Sequence, residues 1–143
     1  MQTFLPYKSF VESASCLDYR RLGKQRVECL QLLSALQFPW ALERTKTNNS
    51  KWSNHPATKM WKGFEECLAL YMNTIILEWE ARGYKNNMEY FDNFTHKVYD
   101  DPDWLGNEDF HASHRSNLLR KDPEWYGKFE WIEPNDLPYV WPK

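Results

Sequence analysis

Glycine and cysteine are scarce in this chain of 143 residues, with five of one and three of the other. No apolar run approaches the ~20 residues that span a bilayer. Glycine this sparse leaves no glycine-rich phosphate loop, and neither a Gly-x-Ser-x-Gly elbow nor a kinase signature is present. Nucleotide chemistry built on those motifs is therefore not expected. Cys16, Cys29 and Cys67 are far apart and odd in number. They match no zinc or redox spacing, so they read as reduced core thiols of a cytoplasmic protein. No basic-then-apolar leader opens the sequence, and a soluble chain with no membrane partner is expected. Regular apolar alternation is also missing, which leaves little room for β-structure.

What is abundant is aromatic: eight each of Trp, Tyr and Phe. Core packing absorbs many rings, and the excess suits stacking surfaces. The net charge of −2 hides segregation. Residues 18–28 hold four bases and two acids, residues 111–121 hold three bases and no acid, and residues 89–109 hold seven acids against Lys97. Two basic patches and one acidic lobe fit a protein that turns one face to phosphates.

The helices follow from caps and period. Ser9-x-x-Glu12 is a capping box that starts a short helix near residue 10. Asp18 recaps the chain for a longer helix to about Gln37, on which Leu22, Cys29, Leu33 and Leu36 share a face. Arg20, Arg21, Lys24 and Glu28 fall mostly on the other side, with Lys24 and Glu28 at i,i+4 spacing. Asp18, Gln25 and Arg26 are anomalous, because they lie in or beside the apolar arc, where an unpaired charge is costly. Gly23 costs about 1 kcal/mol relative to Ala in a helix and implies a close approach there. Asn54 as N-cap and Pro56 open the longest helix, which runs to Arg82-Gly83 as a nearly surrounded central element. A weaker helix is expected over about 86–99 and a last one over about 108–120. Beyond Asp122-Pro123 the chain is aromatic and proline-broken, so an irregular tail packs back over the helices. One compact all-α domain over residues 1–143 is expected.

Among the four histidines, His111 and His114 share a helix face, but no further ligand stands at a recognised metal spacing. No metal is expected. His114 and Arg115, with Ser113 and Ser116, are candidates for phosphate contacts, and His55 sits in a first helical turn, where anions are favoured.

The order of these pieces is recognisable. A strand-like arm (Met-Gln-Thr-Phe-Leu-Pro) leads to the basic helix with Tyr19-Arg20-Arg21-Leu22 and Arg26-Val27. Asn54-His55 opens the central helix, which ends Arg82-Gly83-Tyr84. His111-x-x-His114-Arg115-Ser116 and Pro123-Glu124-Trp125-Tyr126-Gly127 follow. Over nearly its whole length the chain resembles the pyrimidine-dimer DNA glycosylase family (endonuclease V-like glycosylase/AP-lyases), and looks closest to a bacterial and phage branch of it. The resemblance implies a single-domain helical protein, acting as a monomer without cofactor, that kinks double-stranded DNA and flips a nucleotide. It also implies that the α-amino group at the chain start attacks C1′ of a damaged pyrimidine nucleoside through a Schiff base, with β-elimination nicking the strand. An α-amine has a reference pKa of about 7.7–8.0, so part of it is nucleophilic near neutrality. Gln2 is too bulky for efficient Met removal, so the amine is that of Met1. The family's catalytic glutamate follows a Tyr-Arg pair, a position held here by Arg21. That leaves Glu28, or Asp18 one turn back, as the assisting acid. Arg20, Arg21, Lys24, Arg26, His55, His114, Arg115, Arg120 and Lys121 are the expected DNA contacts. The alternatives are a non-catalytic binder of distorted or modified DNA on the same scaffold, and a helical protein–protein adaptor.

Overall fold

Leu17 ends one helix and Asp18 begins the next, and that corner sets the architecture. In a computed structural model, which describes residues 1–45, 49–95 and 101–142, α1 (Phe10–Cys16) is capped by Ser9, whose hydroxyl accepts from Glu12 N–H at 3.2 Å. α2 (Tyr19–Ala35) starts at Asp18, whose carboxylate accepts from Arg21 N–H. α3 (Pro39–Leu42), a 3₁₀ turn (Ser50–Trp52) and α4 (Pro56–Lys59) lead to α5 (Glu65–Ala81). α6 (Glu108–Lys121), α7 (Pro123–Tyr126) and a second 3₁₀ turn (Gly127–Phe129) complete the helices. Among the described residues there is no strand, and the fold is all-α.

The core lies chiefly between α2 and α5. Leu22, Cys29, Leu32 and Leu33 of α2 meet Leu68, Met72, Ile75 and Ile76 of α5, all with no exposed surface. Gly23 is explained here, since a Cβ built on it would lie 2.9 Å from the Trp79 ring. The six-membered ring of the indole fills that space, so any side chain there would push it away. All three cysteines are free and buried. Burial pushes the Cys16 and Cys67 thiols up to about 12, which makes them inert near neutrality.

The central helix expected over 56–82 is two helices, because the chain turns between Met60 and Phe64. Gly63 takes a left-handed conformation (φ +89°) that glycine adopts without strain. The groups freed by the break find partners: Gly63 N–H donates to Glu65 Oε1 at 3.1 Å and Met60 C=O accepts from Trp104 Nε1 at 3.0 Å. The turn drives Trp61 into the core, where its Nε1–H donates to Thr3 Oγ1 at 3.0 Å. The cap is also His55 rather than Asn54; its Nδ1 accepts from Ala57 N–H at 3.0 Å.

No helix forms over 86–95, and the rest of that expected element (96–99) lies outside the described residues. The Asn73 carboxamide of α5 takes both backbone groups of Phe91, accepting from its N–H at 2.9 Å and donating to its C=O at 2.8 Å. Those groups are thereby lost to a helix. The C-terminal tail packs back as expected. Ser113, Ser116 and Asn117 of α6 bond the backbone of Pro134, Leu137 and Val140. Trp131 stacks on Tyr126 and donates to the Tyr7 hydroxyl at 2.8 Å. No described helix is long and apolar enough to cross a membrane.

A cation-rimmed cleft at the chain start

The first six residues run extended through an otherwise helical core, so their backbone polar groups have no ladder to join. An unpaired buried amide costs about 1–3 kcal/mol, and here side chains fill the gap. Gln2 N–H donates to Glu28 Oε2 at 3.4 Å, and Thr3 N–H to Gln2 Oε1 at 2.9 Å. Phe4 N–H donates to Gln25 Oε1 at 2.8 Å, and Leu5 N–H to His114 Nδ1 at 2.9 Å. The carbonyls of Gln2, Phe4, Leu5 and Pro6 accept from Gln25 Nε2, Tyr71 OH, His111 Nδ1 and Arg115 Nη1, respectively.

The arm ends in a cleft of about 840 Å³. Met1, Gln2 and Phe4 meet Asp18, Tyr19, Arg20, Arg21, Lys24, Gln25 and Glu28 of the α2 region there, with Lys121, Asp122, Trp125 and Tyr139 opposite. The helical period alone puts Glu28 on the solvated side of α2. Instead the arm lies over it and leaves it 9 % exposed, with Lys24 Nζ 3.6 Å from its other oxygen. Asp18 is committed elsewhere. Burial alone would raise its carboxyl, but hydrogen bonds from Tyr126 and Arg21, with the Arg21 charge, hold it below the usual range. It is a cap and an anchor for α7, ion-paired to Arg21 at 3.1 Å. Partial burial, then the charges of Arg21, Arg120 and Lys24, pull the Lys121 ammonium down. Four cations around one mouth give a local positive field in a chain of net charge −2.

Six of the expected site residues therefore meet: Met1, Arg20, Arg21, Lys24, Glu28 and Lys121. The others do not line the cleft. Arg26 lies 4.5 Å over the Trp79 ring and donates to Asn86 Oδ1 at 2.7 Å. Arg120, exposed near the end of α6, donates to Asn117. His55 lies between Trp52 and Trp141. Burial, with the Met1 amine charge, lowers its pKa against an opposing pull from Glu28, so both groups act on its ring.

The expectation of phosphate contacts by His114 and Arg115 is corrected. His114 has no exposed surface and packs against Phe110, Phe4 and Tyr139. Burial pulls its pKa down to about 3. Arg115 is 9 % exposed and neutralised by Glu108 and Glu133. Ser113 and Ser116 hold the tail. Residues that sequence reasoning left out of the site include Gln2, whose buried Nε2 has no hydrogen-bond partner among the described residues, and Gln25. The latter had a visible signal: a polar residue in an apolar arc. Tyr19 and Trp125 also face a smaller neighbouring recess of about 350 Å³, where Lys128 Nζ lies 3.3 Å over the Trp125 ring. Among the described residues no group of three or more His, Cys, Asp or Glu side chains is arranged to hold a metal.

No curated protein and no solved structure gives a significant match to the chain. The family model described as pyrimidine dimer DNA glycosylase matches residues 1–92, which include the arm, α1, α2 and α5. With well over half its length matched, including every cleft residue before Lys121, the chain belongs to the pyrimidine dimer DNA glycosylase family of DNA-repair enzymes.

Proposed function

We propose that this protein excises a damaged pyrimidine from double-stranded DNA and then nicks the strand, with the Met1 α-amine as nucleophile and Glu28 as the assisting acid. The observation that carries this reading is the contact of the first peptide with Glu28 beneath four cations, where Gln2 N–H meets the carboxylate at 3.4 Å. A neutral amine at that point has a carboxylate at hand to take and return protons.

The chemistry balances without an outside oxidant or cofactor. The amine lone pair forms a bond to C1′ as the glycosidic bond breaks, and the bonding pair leaves with the base, which takes up a proton. Loss of the remaining amine proton and opening of the C1′–O4′ bond give an imine and a ring-opened hydroxyl. Removal of a C2′ proton then expels the 3′ phosphate by β-elimination. Glu28 is the proton carrier for these steps, a role worth about 10²–10⁴ in rate. Arg20, Arg21, Lys24 and Lys121 hold phosphates, and Arg120 continues that track along α6. Tyr19, Trp125 and Tyr139 offer ring faces to an unstacked base. His55 lies outside the cleft and is given no step, its Nδ1 being occupied by the helix cap.

The test uses duplexes carrying either a pyrimidine dimer or an abasic site, with borohydride to reduce any imine. Strand scission and a covalent protein–DNA adduct are expected. A protein that binds both duplexes yet neither cuts nor traps would overturn the amine mechanism and leave a non-catalytic binder. A protein with no salt-sensitive DNA binding would overturn the DNA contacts assigned here.

A further inference from the structure

Gln25 is buried in the cleft wall, 2 % exposed, and the reaction just described gives it no task. Its carboxamide pairs with the arm as a neighbouring strand would, donating from Nε2 to Gln2 C=O at 2.8 Å and accepting from Phe4 N–H at 2.8 Å. The Tyr71 hydroxyl contacts both sides of this pairing, lying 2.5 Å from Phe4 C=O and 3.3 Å from Gln25 Oε1. Glu28 stands three residues further along the same face of α2. One helix thus holds the carboxylate and, one turn away, the side chain that fixes the peptides leading to the chain start.

We propose that Gln25, braced by Tyr71, is the positioning residue that sets the chain-start amine against Glu28. The inference rests on the amine mechanism above. A free chain terminus is the most mobile part of most domains, whereas a nucleophile must be held close to its attack geometry. A misplacement of about 1 Å can cost on the order of 10² in rate. Two reciprocal hydrogen bonds from one planar group fix both the position and the rotation of the 2–4 backbone, which a single contact would not. Further along, His111, His114 and Arg115 grip Leu5 and Pro6, so the arm is anchored at its inner end and steered by Gln25 at its outer end.

The experiment compares wild type, Gln25→Met and Tyr71→Phe in borohydride trapping at saturating abasic-site duplex, with the duplex Kd, the pH profile of trapping and the melting temperature measured alongside. Gln25→Met keeps length and shape but loses both bonds. Its trapping rate is expected to fall about 10²-fold, with Kd unchanged within about twofold because every phosphate-binding side chain is retained. Tyr71→Phe, the milder change, is expected to slow trapping by up to about tenfold, and it carries the test if Gln25→Met does not fold. A core variant remote from the cleft, Leu33→Ala, reports what reduced stability alone does; it is expected to lower the melting temperature and leave saturated trapping intact. A wild type that never traps overturns the amine mechanism and this inference with it. A trapping wild type matched in rate by the folded Gln25 and Tyr71 variants, or slowed equally by Leu33→Ala, overturns this inference alone.

Discussion

Two segments of similar charge meet opposite fates in this fold. Residues 18–28 and 111–121 are both helical and both net basic. On α2 the cations stay at the surface: Arg20 and Lys24 are exposed and, with Arg21, rim the cleft. On α6 the polar groups turn inward: His111, His114 and Arg115 are buried and spent on the arm's backbone. The difference lies in available partners. Arg115 has Glu108 and Glu133 beside it and an unpaired carbonyl to serve, so its burial is compensated. Arg20 has no carboxylate ion-pair partner within 4 Å among the described residues and remains in water, available to a phosphate. Positive charge in a sequence is thus a poor guide to a polyanion site until its partners are counted.

The sharpest way to break the comparison is to change the chemistry of α2 while leaving all its cations in place. Glu28→Gln is expected to lower strand scission by about 10²–10⁴-fold in single-turnover assays, while duplex Kd moves little. The matching change on α6 strikes the scaffold. His114→Ala removes a buried ring and orphans Leu5 N–H, with an expected loss of about 2–4 kcal/mol in urea unfolding. Acid should act at the same place. The folded value of His114 is about 3 against an ordinary 6.5, so the unfolded chain binds the proton first as the pH falls. The stability this histidine contributes is full above about pH 6.5 and is lost progressively towards about pH 3. His111, lowered by burial, acts in the same sense. A urea midpoint that falls between about pH 7 and about pH 5 in wild type, and falls less in His114→Gln, is the expected result.

Smaller effects sharpen the contrast. Gly23→Ala should gain helix propensity yet lose net stability by about 1–3 kcal/mol, because the new methyl meets the Trp79 ring; a raised melting temperature would contradict the packing described. Arg20→Ala and Lys24→Ala should leave stability nearly unchanged. Each should reduce the slope of log K against log salt by about 0.9 for every phosphate that the side chain neutralises. Equal slopes in wild type and variants would remove these two side chains from the interface.

How much of this was legible in the sequence depends on the range of the interaction. Ser9 and Asp18 act within one turn and mark the starts of α1 and α2 correctly, and Asn107 caps α6 in the same local way. Gly83 closes α5 as expected, with φ +88°. Gly63 looks like an interior residue because the apolar pattern continues through it, and only the placement of Trp61 against Thr3 shows why the helix breaks there. Asn73 with Phe91, and Gln25 with Gln2 and Phe4, are bonds between a carboxamide and a distant extended backbone. Such bonds have no period. The buried glutamine was visible as an anomaly in an apolar arc, but its partner was not, because nothing local tells that the first residues thread the core. The same threading explains why Glu28 reads as solvated on a helical wheel and is covered in the fold.

The measurement that bears most directly on the central claim is the identity of the residue that carries the adduct. After borohydride trapping on an abasic-site duplex and proteolysis, mass spectrometry should find the added mass on the peptide containing Met1. The cleft holds two competing amines, Lys24 and Lys121, and partial burial together with neighbouring charge lowers the latter's pKa. An adduct on either lysine peptide, with the Met1 peptide unmodified, would contradict the chain-start mechanism.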